Sequence, residues 1–214
     1  TICLVGSEMC IRDRVKLLSV KPQHLKDISE ASNISNKDNL LVSILAGVSI
    51  NRLTQKFPNH KCVRVVTNIP ITVGKGLTGI AWGENLTKDQ KQFTKKLFEN
   101  TSKIYEFTED YLDIFLALTS SGPAIIALII EALSDGGLSG GLPKILSEEL
   151  IMEMILGTIS LIKENQLTPS ELKNLVTSPG GTTISALRVL EKKSVRSALI
   201  ESIVSACNRS KEFN

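Results

Sequence analysis

The sequence predicts an α/β domain followed by an all-helical one, in a chain of 214 residues. In the first half, short β-branched and aliphatic runs alternate with helical patterns, which is typical of a parallel sheet covered by helices. From about residue 109 onward no strand pattern remains, and one helical pattern follows another. The composition changes at the same place. We therefore expect the fold class α/β plus all-α, with a domain boundary near residue 108.

Four segments of the first half are predicted as strands. Each is a short aliphatic or β-branched run that ends at a turn signal. They are residues 15–20 (VKLLSV), 40–45 (LLVSIL), 63–67 (VRVVT) and 103–107 (KIYEF).

Two helices are predicted between these strands. Residues 49–57 follow a turn at Gly47. Residues 87–100 begin with Thr87 and Gln90 at the spacing of a capping box, in which each residue's side chain bonds the other's backbone N–H.

The second half carries three clear helix starts. Pro143 introduces one long apolar pattern. Thr168, Pro169 and Glu171 stand at the N-cap, N1 and N3 positions of another, which is a strong start signal. Ser194 opens the last pattern, which has one apolar stripe. These signals predict a domain built from helices alone.

The helical half has more apolar surface than it can bury by itself. The stripes at 124–133 and 150–162 are the most apolar. A second copy of the chain would cover them, so we expect a homodimer or a higher homo-oligomer. A monomer that buries these stripes in its own core is the alternative.

One stretch, residues 112–133, resembles a membrane span in composition. Residues 119–123 (TSSGP) interrupt it, and its uninterrupted part, residues 124–130, is far shorter than the roughly 20 residues that a bilayer requires. We therefore expect a buried helix and no membrane partner.

The composition excludes several classes of function. The net charge is +3 and aromatic residues make up 4%, which disfavours a nucleic-acid partner. The two histidines, His24 and His60, leave little scope for a metal site. The four cysteines form no C-x-x-C pair, which favours reduced thiols and a cytoplasmic location.

The most distinctive local sequence is residues 176–183 (VTSPGGTT), just before a helical pattern. Two glycines allow the backbone to turn tightly, and the threonines lie where they can cap the helix. Free N–H groups at a helix N-terminus suit a carboxylate or a phosphate. An anion-binding loop and a simple capped helix both fit this pattern.

Three other polar segments are candidate sites. Residues 19–23 (SVKPQ) and 67–70 (TNIP) follow predicted strands, at the sheet edge where α/β proteins bind ligands. Residues 119–124 (TSSGPA) lie between two apolar helices. Their hydroxyls either join the helices or face a ligand.

Taken in order, these segments resemble the pyrroline-5-carboxylate reductase family. The resemblance runs from about residue 15 to residue 213 and includes VKPQ, AGVS, TNIP, SSGPA, DGG, GLP and RSKE. Its most specific part is residues 176–191, which resemble the signature of this family.

The resemblance implies a partial Rossmann-type NADP-binding domain (residues 15–108) followed by an all-helical dimerisation and substrate domain (residues 109–214). It implies reduction of the C=N bond of 1-pyrroline-5-carboxylate to L-proline with NADPH, NADH being possible, and no metal. The cofactor positions that it implies are Ser19, Val20, Lys21, Pro22, Ile44, Leu45, Ala46 and Asn68.

The resemblance also implies a substrate site. The loop would hold the substrate carboxylate, and the Thr183 hydroxyl would reach the ring nitrogen as the catalytic group. The implied substrate positions are Glu109, Val176, Ser178, Gly181, Thr182 and Thr183.

The chain departs from the family pattern in several places. The family's first strand and glycine-rich loop have no counterpart, and residues 1–14 (TICLVGSEMCIRDR) are expected to be a non-native leader. A divergent first strand is the alternative. Ile69 and Ser120 or Ser121 replace a family Thr and Gly, and Gln166 stands in place of a family Glu.

Two other classes of function stay open. A non-catalytic helical dimerisation module or an inactive fragment would account for the helices, but it would not need the 176–183 loop. A related NADP-dependent hydroxy-acid dehydrogenase would need a catalytic lysine motif, which we do not find.

Overall fold

The computed structural model describes residues 15–20, 24–25 and 39–212. It divides into two compact units. Unit 1 contains the described residues up to Gly122 and those from Ile203 onward, and unit 2 is Pro123–Ser202. The predicted leader, residues 1–14, lies outside the described residues. The boundary predicted near residue 108 falls inside unit 1, because the helix that follows it packs on the sheet.

Unit 1 is built on a five-stranded sheet in which the strands lie in chain order. Neighbouring strands are parallel except for β3 and β4, which pair antiparallel through contacts such as Val65 with Ile80. The strands are β1 (Val15–Leu18), β2 (Asn39–Ser43), β3 (His60–Thr67), β4 (Gly76–Trp82) and β5 (Ser102–Glu106).

The strand β4 was missed by the sequence prediction, and the predicted parallel sheet is therefore mixed. Its sequence, GLTGIAW, contains two glycines, which weaken a strand pattern. Packing explains one of them. A Cβ on Gly79 would lie 2.8 Å from a ring carbon of Phe115, so only glycine lets the third helix approach the sheet this closely.

Three α-helices of unit 1 connect or cover the strands, and the first two begin at the predicted positions, after Ser49 and Thr87, whereas no start was predicted for the third. They are α1 (Ile50–Lys56), α2 (Lys88–Lys96) and α3 (Leu112–Thr119). The capping box of α2 is confirmed: Thr87 Oγ1 accepts from the N–H of Gln90, and Gln90 Oε1 accepts from the N–H of Thr87.

Both faces of the central strands are buried. Alternate residues of β2 point to opposite sides: Leu41 joins α1 through Leu53 and Phe57, whereas Leu40 and Val42 join a second cluster on the other face. Burial on both sides is what a parallel sheet between helices requires. This rigid core fixes the positions of the loops at the strand ends.

Unit 2 consists of helices. The element bounds are α4 (Gly122–Ser139), α5 (Lys144–Glu164), α6 (Pro169–Leu175), α7 (Thr182–Lys192) and α8 (Val195–Lys211), with the last turns of α8 belonging to unit 1. The predicted capping box of α6 is confirmed, since Thr168 Oγ1 accepts from the Glu171 N–H and the Glu171 carboxylate accepts from the Thr168 N–H at 2.7 Å.

A left-handed residue ends α5. Gln166 has φ of +53°, and the following N–H, that of Leu167, donates to the carbonyl of Ile162. This is the hydrogen-bond pattern of a Schellman motif, whose left-handed position usually holds glycine.

The helices of unit 2 expose much apolar surface, as the sequence predicts. Ile145 is 81% exposed and Leu128 is 64% exposed. The stretch Glu109–Ser139 is long and apolar enough to cross a membrane, by length and composition only. Ser120 and Ser121 separate it into α3 and α4.

Candidate functional site

The carboxyl ends of β1 and β2 lie side by side in unit 1. The N–H of Ile44 donates to the carbonyl of Leu18 at 3.0 Å, which places the Ile44–Ala46 segment beside the residues that follow β1. Ser19 and Val20 are half-buried there. The two other predicted positions, Lys21 and Pro22, lie outside the described residues.

The loop from β2 to α1 is anchored by buried side chains on either side of an exposed turn. Leu45 and Val48 are buried, whereas Ala46 between them is exposed. Gly47 has φ of +69°, a left-handed conformation that glycine adopts without steric cost. Ser49 then caps α1 by accepting from the N–H of Arg52.

Asn68 lies at the carboxyl end of β3 with its amide fixed by the backbone. Its Nδ2 donates to the carbonyl of Thr119 at 3.0 Å, and its Oδ1 accepts from the N–H of Leu77 at 2.8 Å. The residue is 8% exposed. Asn68 thus joins β3, β4 and the end of α3, and the next residue, Ile69, is 74% exposed.

The hydroxyls at the α3–α4 junction bond to the backbone. Thr119 Oγ1 donates to the carbonyl of Phe115 at 2.7 Å, and Ser120 Oγ donates to the carbonyl of Thr67 at 3.0 Å. Of the two sequence interpretations, the structural one accounts for these two hydroxyls. The Thr119 bond lies within α3, and the Ser120 bond ties the end of α3 to β3.

Sequence reasoning missed a buried ionic cluster in unit 1. Arg64, on β3, is 1% exposed. Its Nη2 donates to Asp113 Oδ1 at 2.7 Å and its Nη1 donates to Glu109 Oε1 at 3.2 Å. Ser210 Oγ also donates to Asp113 Oδ1, at 2.8 Å. Glu109 Oε1 accepts a further bond, from the N–H of Ile50 at 2.7 Å.

A signal for this cluster is present in the sequence. Arg64 stands between valines in a run that otherwise reads as a fully buried strand, VRVVT. A buried charge needs partners of opposite sign, but the sequence does not show which acids these are, because Glu109 and Asp113 lie 45 and 49 positions away.

The 176–183 loop lies in unit 2 between α6 and α7. Gly180 has φ of +69°, and the N–H of Gly181 donates to the carbonyl of Ser178 at 3.1 Å, which closes the turn. Gly181 is the N-cap of α7, and Thr182 and Thr183 are the first two residues of the helix. Thr182 is exposed and Thr183 is half-buried.

The expectation that threonines cap α7 is wrong. The N-cap is Gly181, which has no side chain, and among the described residues no side chain caps this helix start. The loop therefore presents backbone N–H groups that no side chain caps. Such groups, together with the helix dipole, favour an anion.

A side chain at position 181 would be crowded by Ser178. A Cβ there would lie 2.5 Å from Ser178 Oγ and 3.2 Å from the Ser178 carbonyl oxygen. Before the turn, Val176 ends α6 and is 56% exposed. All five predicted loop residues thus belong to one short structure.

The described residues contain no cluster of three or more His, Cys, Asp or Glu side chains with the arrangement of metal ligands. Two of the four cysteines are described. Cys62 and Cys207 are buried free thiols.

Comparison with known proteins identifies a family. Residues 109–213 match the family model described as pyrroline-5-carboxylate reductase dimerisation. A pyrroline-5-carboxylate reductase from Synechocystis is 43% identical over 199 residues, which cover 93% of this chain and 74% of that protein. The soybean (Glycine max) enzyme of the same name is 38% identical, covering 94% of this chain and 73% of its own length.

Solved structures agree with this. The crystal structure of the Plasmodium falciparum pyrroline carboxylate reductase with NADP bound has a TM-score of 0.85 and 31% identity, covering 92% of this chain and 80% of that one. The Streptococcus pyogenes 1-pyrroline-5-carboxylate reductase has a TM-score of 0.88 and 25% identity, covering 92% and 76%. The predicted fold class is confirmed, and the chain belongs to the pyrroline-5-carboxylate reductase family.

Proposed function

We propose that this protein reduces the C=N bond of 1-pyrroline-5-carboxylate to give L-proline, with NADPH as the hydride donor. The observation that carries the proposal is the 43% identity with a pyrroline-5-carboxylate reductase over 93% of the chain. The dimerisation family match supports a homodimer. We also propose a cytoplasmic location, since the family consists of soluble biosynthetic enzymes.

The sheet edge of unit 1 fits a dinucleotide. Adjacent carboxyl ends of β1 and β2, with a tight turn and an exposed Ala46, form the type of edge at which α/β folds bind such ligands. NADPH supplies a hydride when it is bound. The residues proposed to hold it are Ser19, Val20, Lys21, Pro22, Ile44, Leu45, Ala46 and Asn68.

Asn68 is suited to an orienting role. Both ends of its amide are already fixed by backbone groups, at 3.0 Å and 2.8 Å. An amide held in this way keeps its remaining N–H and lone pair in a constant direction. A pre-oriented polar group favours one pose of the reacting rings over others.

The loop of unit 2 is proposed to hold the substrate carboxylate. Uncapped N–H groups at the start of α7 donate to an anion, and the turn at Gly180 and Gly181 keeps side chains out of the way. The residues proposed for this are Val176, Ser178, Gly181, Thr182 and Thr183.

Thr183 is the proposed catalytic residue. Its hydroxyl stands in the first turn of α7, next to the N–H groups proposed for the carboxylate. There it would donate a hydrogen bond to the ring nitrogen, which gains electron density as the neighbouring carbon is reduced. A hydrogen bond that strengthens during the reaction lowers the barrier.

Only one carboxylate oxygen of Glu109 is available for the substrate contact that the resemblance implies. Its Oε1 already accepts from Ile50 N–H and from Arg64. A direct substrate contact would therefore have to use Oε2.

Steady-state kinetics on a matched pair of variants, each in a chain that includes the family's first strand and glycine-rich loop, tests the proposal. NADPH oxidation is followed by absorbance with 1-pyrroline-5-carboxylate as the substrate. Thr183→Ala should lower turnover by about ten- to a thousandfold. Thr182→Ala should lower it much less, because this contact is proposed to run through the backbone N–H.

Thermal melts of both variants supply the control. Unchanged turnover with similar losses of stability would remove Thr183 from the active site. A chain that includes the family's first strand and glycine-rich loop but neither binds nor oxidises NADPH would contradict the reductase and favour a non-catalytic dimerisation module.

A further inference from the structure

We propose that Glu109, held by the buried Arg64, is a positioning residue for the cofactor loop: it fixes the N-terminus of α1 and thereby the Ile44–Ser49 loop. This inference rests on the proposed function in one respect only, namely that the ligand of the loop is NADPH. The holding role itself rests on contacts within unit 1.

Glu109 supplies the long-range bond at the start of α1. Ser49 caps the helix locally by accepting from the N–H of Arg52, three residues later. By contrast, the 2.7 Å bond from Ile50 N–H to Glu109 Oε1 joins residues 59 apart in sequence. It ties the end of the β2–α1 loop to the segment that follows β5.

Arg64 fixes the carboxylate that makes this bond. Its guanidinium is 1% exposed and lies between two carboxylates, those of Glu109 and Asp113. Asp113 in turn accepts from Ser210 on α8. The Arg64 side chain is buried and bonded at both Nη atoms, so its position is fixed. The carboxylate of Glu109, which accepts from Arg64 and from Ile50 N–H, is thereby held in one position.

The charges of this cluster favour the helix contact. Two carboxylates face one guanidinium, so one negative charge is not balanced by Arg64. The N–H at the first position of α1 provides a further donor to Glu109 Oε1, the atom that Arg64 also contacts. A charged acceptor makes a stronger hydrogen bond to a backbone N–H than a neutral one does.

The loop held in this way carries three proposed cofactor positions, Ile44, Leu45 and Ala46. The end nearer the sheet is fixed by the bond from Ile44 N–H to the Leu18 carbonyl. The end nearer the helix is fixed by Glu109. Loss of the second anchor should therefore loosen the loop and weaken cofactor binding, with little effect on the substrate loop in unit 2.

Hydrogen–deuterium exchange on the ligand-free chain tests the holding role. Glu109→Ala should speed exchange of residues 44–53 by about tenfold or more, with no change in residues 176–183. Glu109→Gln retains an acceptor oxygen and should stay within about threefold of wild type. Glu84→Ala removes an exposed carboxylate from the same unit and should change nothing.

Binding tests the functional part. Glu109→Ala should raise the Kd of NADPH by about tenfold, measured by fluorescence titration without substrate, a condition in which a direct substrate contact has no effect. If Glu109→Ala does not fold, Glu109→Asp, which withdraws the carboxylate by one methylene, should show a smaller shift in the same direction.

Two results would overturn the inference. One is unchanged exchange of residues 44–53 in Glu109→Ala. The other is a raised KM for the substrate with an unchanged Kd of NADPH, which would make Glu109 a direct substrate contact. Absence of NADPH affinity in a chain that includes the family's first strand and glycine-rich loop would instead contradict the proposed function, and the exchange experiment would then decide the holding role alone.

Discussion

The guanidinium of Arg64 and the carboxylate of Asp113 form a buried ion pair, with Nη2 2.7 Å from Oδ1. The pair joins β3 to α3, two elements that lie 49 residues apart in sequence. Arg64 is 1% exposed and Asp113 is 7% exposed. Both charged groups are almost fully buried, so each is stabilised mainly by its ionic partner rather than by water.

We expect removal of one partner to destabilise unit 1 strongly. Asp113→Ala leaves the buried guanidinium with Glu109 alone and should lower the free energy of unfolding by about 3–5 kcal/mol, measured by urea denaturation. The matched control is Asp135→Ala, which breaks an exposed pair with Lys144. That variant should unfold like the wild type within the error of measurement. Equal effects of the two variants would show that burial does not determine the strength of this pair.

Crowding at Gly181 predicts a specific coupling with Ser178. Gly181→Ala should raise the substrate KM by about tenfold or more, because the new methyl group displaces the turn. In a Ser178→Ala background the added methyl group no longer meets Oγ, and the further rise in KM should be smaller. The control is Gly180→Ala, which meets no neighbouring atom but has φ of +69°, so it should mainly reduce stability. Strictly additive effects of Gly181→Ala and Ser178→Ala would contradict the steric explanation.

His60 makes stability depend on pH. Its two ring nitrogens are buried and have no hydrogen-bond partner among the described residues. Burial, with a smaller contribution from Lys16, lowers the pKa of His60 to about 4. The unfolded chain, with a pKa near 6.5, therefore binds more protons than the folded chain between these values. The free energy of unfolding consequently falls as pH drops through this range.

The expected loss is about 2 kcal/mol between pH about 6.5 and about 5, since each pKa unit corresponds to about 1.4 kcal/mol. Urea denaturation at several pH values measures it. His60→Phe keeps an aromatic ring beside Phe57, which lies 5.9 Å away between ring centroids, and cannot titrate. This variant should lose most of the pH dependence in this range. The same slope in both proteins would assign the effect to other groups.

The left-handed residue Gln166 offers a stabilising substitution. Gln166→Gly should raise the free energy of unfolding by about 1 kcal/mol, because glycine adopts φ of +53° without a Cβ penalty. Gln166→Ala retains the penalty and serves as the control. Thermal melting of both variants gives the comparison, and a less stable Gln166→Gly would mean that the Gln side chain contributes more than the strain costs.

Features that depend on neighbours in sequence were predictable from the chain alone. The two capping boxes, Thr87 with Gln90 and Thr168 with Glu171, formed as expected because each needs only four consecutive residues. Four of the five strands were identified for the same reason, since a run of β-branched residues indicates an extended backbone. The order of motifs also indicated the family, which the comparisons confirm.

Features that depend on distant residues required the tertiary structure. The strand β4 has a weak local pattern, and its glycine at 79 makes sense only against Phe115 of α3. Local sequence also does not show that Arg64 pairs with Glu109 and Asp113, because burial is a property of the packed sheet and not of any one segment. The sequence by itself determined the elements and the family. The tertiary structure decided which charges are buried and which helix end they hold, since those contacts form only when residues about fifty positions apart are brought together.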